Sequence, residues 1–73
     1  MKKTIYDDDY KVFIRQLKKA RENAELTQVQ VAKMLGSTQA YISKVESGQL
    51  RVDVTQLKKF ASIYKKNINF FLK

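Results

Sequence analysis

The stretch from Leu26 to Gly48 constrains the fold more than any other part of the chain. Thr27 and Thr38 each stand just before a short apolar period, where a threonine hydroxyl can accept a backbone N–H as a helix N-cap. Gln30 follows Thr27 at the three-residue spacing of a capping box. Gly36 lies between the two periods and suits a tight turn. The stretch therefore predicts two short helices joined by a turn.

The two predicted helices have clearly different faces. Apolar residues recur at intervals of three and four, as a core-facing stripe requires: Val31, Ala32, Leu35, Ile42 and Val45. The other face of the second helix is polar, short-chained and free of acids: Gln39, Ala40, Ser43, Lys44 and Ser47. Two helices, a glycine turn and a hydrogen-bonding outer face are the parts of a DNA-reading helix-turn-helix.

Composition supports a binding protein and argues against an enzyme. Lysine and arginine outnumber the acids by 15 to 7, which gives a net charge of +8 and favours a polyanionic partner. A solubilising surface or a membrane surface is the alternative reading of that charge. The chain has no histidine and no cysteine, so the usual general base and the usual zinc ligands are missing. We expect no catalytic residue, no metal and no cofactor.

The remaining sequence predicts helices on both sides of this stretch. Residues 1–7 lack a periodic signal and are expected to form an N-terminal arm, with one domain over residues 8–73. The first helix should run from about Asp8 to Ala24, because acids suit the N-terminal end of the helix dipole. Its apolar stripe is Tyr10, Phe13, Leu17, Ala20 and Ala24.

After Gly48 a loop leads to a helix that Asp53 should cap, with Gln56 in the capping-box position. The expected buried stripe of that helix is Val54, Leu57, Phe60, Ala61 and Tyr64. Asn67 is expected to cap a final turn that packs Ile68, Phe71 and Leu72 on the core. The prediction is an all-α, compact five-helix domain. No apolar run is long enough for a membrane span and no signal peptide is evident, so we expect a cytoplasmic protein.

From Phe13 to Leu72 the sequence resembles the lambda-repressor-like (Xre/Cro-type) helix-turn-helix family of bacterial and phage transcriptional regulators. The resemblance rests on the LTQ opening, an alanine five residues after that threonine, the Leu-Gly turn and the run YISKVESG. It implies that helices 2 and 3 bind DNA, with helix 3 at about residues 38–47. It also implies that Gln28 bonds a phosphate and braces the first residue of helix 3, and that Glu46 pairs with Arg21.

The same resemblance implies base reading by Gln39, often of adenine, with Ala40, Ser43 and Lys44 at the other groove-facing positions. The chemistry agrees, since a glutamine amide offers the donor and the acceptor that fit adenine N7 and N6. Lys44 could contact either guanine or a phosphate. Helix N-termini and the loop after helix 3 supply the predicted phosphate contacts: Thr27, Gln28, Thr38, Tyr41, Gln49 and Arg51.

Three positions depart from the family pattern. Glu25 stands where a glycine usually precedes the LTQ run, and Lys65 or Lys66 stands where one usually follows helix 4. A left-handed backbone costs a residue other than glycine about 1 kcal/mol, so these turns are expected to differ in detail. Val52 replaces a common proline. None of the three lies on the reading face.

The favoured function is a transcriptional regulator that binds double-stranded DNA sequence-specifically, reads the major groove with helix 3 and acts as a homodimer. Phe70 is the candidate dimer contact. The alternative is an antitoxin-like or adaptor module that binds a toxin or peptidase and regulates its own operon. A membrane-surface helix is a poorer third option, because the apolar stripes match a packed core.

Overall fold

The computed structural model describes residues 5–71, with side chains from residue 10 onward. Within that range the chain forms four α-helices and a short 3-10 helix, and no strand: α1 (Ile5–Asn23), α2 (Gln28–Leu35), α3 (Gln39–Glu46), α4 (Val54–Tyr64) and η1 (Ile68–Phe70). The all-α prediction is confirmed. The five-helix count is not, because the fifth element is a 3-10 helix of 3 residues.

Helix α1 begins earlier than predicted. It starts at Ile5, three positions before Asp8, so residues 5–7 belong to the helix and not to an arm. Residues 1–4 of the predicted arm lie outside the described residues. The reason for the error is that the helix dipole favours carboxylates throughout the first turn, so the acids at positions 7–9 do not fix the starting residue.

The other helices begin at the predicted caps. The hydroxyl oxygens of Thr27 and Thr38 accept the N–H groups of Gln30 and Tyr41, each at 3.1 Å. The side chains of Asp53 and Asn67 do the same at α4 and η1, each at 2.8 Å. These bonds satisfy backbone donors that would otherwise lack partners in the first turn.

The two predicted capping boxes differ. At α2 the box is complete, because Gln30 Oε1 also accepts the backbone N–H of Thr27 at 2.8 Å. At α4 Gln56 Oε1 is buried and accepts no hydrogen bond from the described residues, so the reciprocal half is missing. The spacing alone predicted both boxes, but only the side-chain rotamer decides whether the second bond forms.

All four α-helices end in the same left-handed turn. Within residues 5–71 the residues with positive φ are Glu25 (59°), Gly36 (73°), Gly48 (85°) and Lys65 (57°). At each one the next residue donates its N–H to a carbonyl five positions back, as in Lys66 to Ala61 at 2.9 Å and Ser37 to Ala32 at 2.8 Å. This is the Schellman arrangement. The expectation that the turns without glycine would differ was wrong, because Glu25 and Lys65 adopt the left-handed conformation.

One core joins the helices. Its buried side chains come from every α-helix and from the residue after η1: Phe13, Leu17, Ala20, Val31, Ala32, Ile42, Val45, Leu57, Phe60, Ala61, Tyr64 and Phe71. The predicted stripes are buried with one clear exception. Val54 is 66% exposed, because it is the first residue of α4 and faces solvent. Tyr10, Ala24 and Leu35 are partly buried at the edge of the core.

The C-terminal aromatic residues pack against the domain. Tyr64 and Phe71 are buried, as core packing requires. Phe70 is partly buried and stands edge-on to Phe71 at 5.3 Å between ring centroids. The Lys66 ammonium lies 4.8 Å from the Phe70 ring centroid, and Gln16 Nε2 donates to the Phe70 carbonyl at 3.2 Å. Phe70 therefore serves intramolecular packing. Leu72, also predicted to pack here, lies outside the described residues.

Candidate nucleic-acid interface

Helices α2 and α3 pack directly against each other and form the helix-turn-helix unit. Their connection is short, since Gly36 ends α2 in the left-handed turn and Thr38 already caps α3. A Cβ at Gly36 would meet no atom within 4 Å, so glycine is required there by its backbone conformation and not by crowding. This turn fixes how α3 leaves α2.

The predicted base-reading residues share the exposed face of α3. Ile42 and Val45 on the opposite side of the helix are buried. The four predicted residues are all exposed: Gln39, Ala40, Ser43 and Lys44. Gln39 lies one turn before Ser43, and Ala40 lies one turn before Lys44, so the four side chains form two adjacent rows. The face presents an amide, a methyl, a hydroxyl and an ammonium. Those groups suit hydrogen bonds and methyl contacts to base edges.

An ion pair fixes α3 to α1 beneath this face. Arg21 donates from Nε to Glu46 Oε2 at 2.6 Å and from Nη2 to Oε1 at 3.1 Å. Arg21 Nη1 also donates to the Leu26 carbonyl at 2.9 Å. The side chains of Arg21 and Glu46 are only 13% and 5% exposed. The hydrogen bond to Glu46, opposed by burial, raises the pKa of Arg21 above its ordinary value. The pair expected from the resemblance is thus present, and its two bonds fix the geometry of the carboxylate.

A second pair of hydrogen bonds continues from the carboxylate to the reading face. Gln28 Nε2 donates to Glu46 Oε1 at 3.1 Å, and Gln28 Oε1 accepts from Gln39 Nε2 at 2.9 Å. Gln28 therefore braces the first residue of α3, as the resemblance implied. Its bond to Glu46 was not predicted. A sequence signal for it was not available, since the two residues are 18 positions apart on different helices.

The predicted phosphate contacts lie around the reading face. Thr27 and Thr38 are exposed at the N-termini of α2 and α3. Their oxygens accept backbone N–H groups, and each hydroxyl hydrogen can still be donated to a phosphate. Gln49 is exposed in the loop after α3. Tyr41 is partly buried, and burial together with nearby Asp53 and Tyr10 raises its pKa, so its phenol stays a donor.

The loop that carries Arg51 is attached to α1 by Tyr10. The Tyr10 hydroxyl donates to the Leu50 carbonyl at 3.1 Å, and the guanidinium carbon of Arg51 lies 4.4 Å from the Tyr10 ring centroid. This stacking restricts the orientation of the Arg51 side chain. The apolar period predicted Tyr10 only as part of the core stripe and gave no sign of this role, because Tyr10 and Leu50 are 40 positions apart.

The surface of the helix-turn-helix has a favourable sign of charge. Between Thr27 and Val52 the only acid in the sequence is Glu46, and Arg21 neutralises it beneath the surface. Lys33, Lys44 and Arg51 are exposed in the same segment. The other described cations belong to α1, to α4 and to the residues after α4. The helix-turn-helix still presents positive charge without an exposed acid, which suits a phosphate backbone.

Other kinds of site find little support in residues 10–71. The structure brings together no group of three acidic side chains there that could hold a metal ion. No helix of the described chain is both long and apolar enough to cross a membrane.

Comparison with known proteins agrees with this geometry. A family model described as "Helix-turn-helix" matches residues 17–71, well over half of the chain. Searches of curated proteins and of solved structures returned no match. The matched residues include all of α2, α3 and α4 and the ion pair that joins α1 to α3. The chain belongs to the lambda-repressor-like (Xre/Cro-type) helix-turn-helix family, whose members are DNA-binding regulators.

Proposed function

We propose that this protein is a sequence-specific regulator of transcription that inserts α3 into the major groove of double-stranded DNA. The observation that carries the proposal is the exposed Gln39 amide, which Gln28 holds at the start of α3. A reading side chain whose rotamer is fixed in advance loses less conformational entropy on binding. The absence of an exposed acid between residues 27 and 52 removes a major source of repulsion from phosphate.

The proposal assigns different tasks to the two groups of side chains. The first group contacts base edges and gives sequence preference: Gln39, Ala40, Ser43 and Lys44. The second group contacts phosphates and sets the register of the protein on the duplex: Thr27, Gln28, Thr38, Tyr41, Gln49 and Arg51. In this scheme Arg51 binds the backbone from a loop that Tyr10 holds in place.

We further propose that the protein binds as a homodimer on two half-sites about one helical turn apart. A single α3 reads only a few base pairs, so a symmetric pair provides the specificity that a regulator needs. Phe70 is a weaker candidate for the dimer contact than its sequence position suggested, because it packs within the domain. Sedimentation velocity with and without operator DNA tests the dimer directly. A 1:1 complex on a single half-site would contradict it.

Selection of bound fragments from random duplex DNA tests the proposed function. We expect a defined motif, and a symmetric repeat of it for the dimer. Gln39→Ala should then bind the selected motif about 1–3 kcal/mol more weakly than the wild-type protein, and it should accept every base at the position that Gln39 reads. Gln49→Ala is the matched control, an exposed glutamine outside α3 whose loss should lower affinity for all sequences alike. Failure of the wild-type protein to enrich any motif would reject the proposal.

A second candidate function is binding of a protein partner such as a toxin or peptidase. An exposed apolar surface on α2 favours it, because the side chains of Val29 and Met34 are 49% and 57% exposed. Met34 and Leu35 of α2 line a shallow groove together with Ile63 of α4. Lys59 lines the same groove, so an acidic partner would suit it. Met34→Glu removes the apolar contact and adds a charge of the partner's own sign. An acidic protein that copurifies with the wild-type chain but not with Met34→Glu, together with no enrichment of DNA, would favour this function over the first.

A further inference from the structure

Four polar side chains form one continuous hydrogen-bonded series from the interior to the reading face. Arg21 donates to Glu46, Gln28 donates to Glu46, and Gln39 donates to Gln28. Arginine has only donors and a carboxylate has only acceptors, so the first two members allow a single direction of donation. The amides of Gln28 and Gln39 have no such limit of their own, since each carries an oxygen and an NH₂ group of similar size.

The carboxylate settles both amide orientations. Glu46 Oε1 accepts from Arg21 and from Gln28, and it can accept from Gln28 only if the Gln28 NH₂ group faces it. The Gln28 oxygen must then face Gln39, so Gln39 must turn its own NH₂ group inward. The outer edge of Gln39 is left with its oxygen on one side and the second N–H on the other. That N–H matches the acceptor N7 of adenine, and the oxygen matches the donor N6.

We propose that Glu46 is a specificity-determining residue that acts through Gln28, fixing the direction of the Gln39 amide and thereby selecting adenine over guanine. Glu46 contacts no base in this scheme and is a positioning residue. The inference rests on the proposed function, because it concerns the base that Gln39 reads. Guanine is rejected because its O6 is an acceptor where adenine has a donor, so it would face the Gln39 oxygen.

Glu46→Gln should reverse the series. The contact from Arg21 Nε to Oε2 is 2.6 Å, shorter than the 3.1 Å contact from Nη2 to Oε1. An NH₂ group opposes an Arg21 donor at either position, and it does so at the shorter distance at Oε2. The oxygen of the new amide therefore keeps the Oε2 position. Its NH₂ group takes the Oε1 position, gives up the hydrogen bond from Arg21 Nη2 and donates to Gln28. Gln28 then turns its oxygen inward and its NH₂ group toward Gln39, which must turn as well. The outer edge of Gln39 now opposes adenine at both atoms and offers a donor near guanine O6.

The test compares two duplexes that differ at one base pair. Both duplexes carry the motif selected with the wild-type protein. The varied base pair is the one at which Gln39→Ala loses its preference for a base. Affinity is measured for A·T and for G·C at that pair. The wild-type protein should prefer adenine by roughly 5- to 150-fold, the range that one good bidentate contact gives. Glu46→Gln should lower this ratio by about tenfold or more, to near one or below.

A second variant keeps the ion pair and avoids the risk that Glu46→Gln does not fold. Gln28→Met removes the brace, so that Gln39 can rotate and donate to guanine O6. The adenine-to-guanine ratio should fall without reversing, chiefly because guanine becomes acceptable. Gln49→Met, outside the series, should leave the ratio unchanged. Circular dichroism checks that each variant is folded at the assay temperature.

The outcomes separate the inference from the proposed function. A ratio that falls in both Glu46→Gln and Gln28→Met, but not in Gln49→Met, supports the inference. An unchanged adenine-to-guanine ratio in folded Glu46→Gln or in Gln28→Met overturns the inference and leaves DNA reading intact. A wild-type preference for a base other than adenine has the same consequence. If the wild-type protein selects no motif, the proposed function itself fails.

Discussion

The left-handed residues Glu25 and Lys65 make a strong quantitative prediction about stability. Each occupies the position of a Schellman turn that Gly36 and Gly48 occupy at the other two helix ends. A left-handed conformation costs a residue other than glycine about 1–2 kcal/mol. Glycine gives back about 0.4–1 kcal/mol of this, because it makes the unfolded chain more flexible. Glu25→Gly and Lys65→Gly should therefore each stabilise the protein by about 0.5–1 kcal/mol.

The expected change is large enough to measure in a domain of this size. Each kcal/mol corresponds to roughly 4–8 °C in the midpoint of thermal unfolding. The two sites lie at the ends of different helices, so the double variant should show the sum of the two effects. Thermal and urea unfolding followed by circular dichroism give both the midpoint and the free energy of unfolding.

Alanine variants separate the backbone effect from loss of the side chain. Glu25→Ala and Lys65→Ala remove the charge but keep the Cβ atom, so they should stay close to the wild-type protein. Gly36→Ala gives the converse result: a Cβ there meets nothing within 4 Å, so its cost of about 1 kcal/mol is conformational. If Glu25→Gly is no more stable than Glu25→Ala, backbone strain at Glu25 is refuted.

Three further predictions concern buried polar groups and charge. Arg21→Met leaves the Glu46 carboxylate, whose side chain is 5% exposed, without its cation, and should lower the free energy of unfolding in urea by about 3–5 kcal/mol. The double variant Arg21→Met with Glu46→Leu should restore most of that loss. A loss below about 1 kcal/mol would contradict a structural ion pair. Burial raises the pKa of Tyr64, so the neutral phenol is favoured in the folded state. Stability should hold below about pH 10 and fall above it as the unfolded chain loses that proton. Tyr64→Phe should make this fall shallower and, since the hydroxyl is buried without a partner among the described residues, stabilise the protein by about 1 kcal/mol at pH 7; thermal melts from pH 8 to 11 decide. Arg51→Ala should weaken all duplexes and reduce the salt dependence of binding by about one phosphate contact, with Lys59→Ala on α4 as the control. Equal salt slopes for wild type and Arg51→Ala would exclude the contact.

Local signals predicted much of the fold. The caps Thr27, Thr38, Asp53 and Asn67 all form, because the donor and the acceptor lie within three residues. The apolar period predicted the buried faces of α2 and α3 for the same reason. It failed at Val54, since a period does not show where a helix meets the core and where it only begins. The start of α1 was wrong because acids suit any position of a first turn.

The candidate site was predicted by resemblance more than by physics. The resemblance supplied the positions of Gln28, Gln39 and the Arg21–Glu46 pair, which lie on three helices. It did not supply the Gln28–Glu46 bond or the contact between Tyr10 and the loop after α3. Both depend on how distant segments pack, and no local pattern encodes that. The left-handed φ angles of Glu25 and Lys65 show the same limit, since both residue types disfavour this conformation.

The central claim is that Gln39 of α3 contacts a base edge in the major groove. Its most direct test replaces the adenine at the Gln39 position by 7-deazaadenine, which removes N7 and leaves base pairing intact. The wild-type protein should lose about two- to tenfold in affinity, the equivalent of one hydrogen bond, and Gln39→Ala should lose nothing further. Equal affinity of the wild-type protein for both duplexes, or equal losses in both proteins, would contradict the claim.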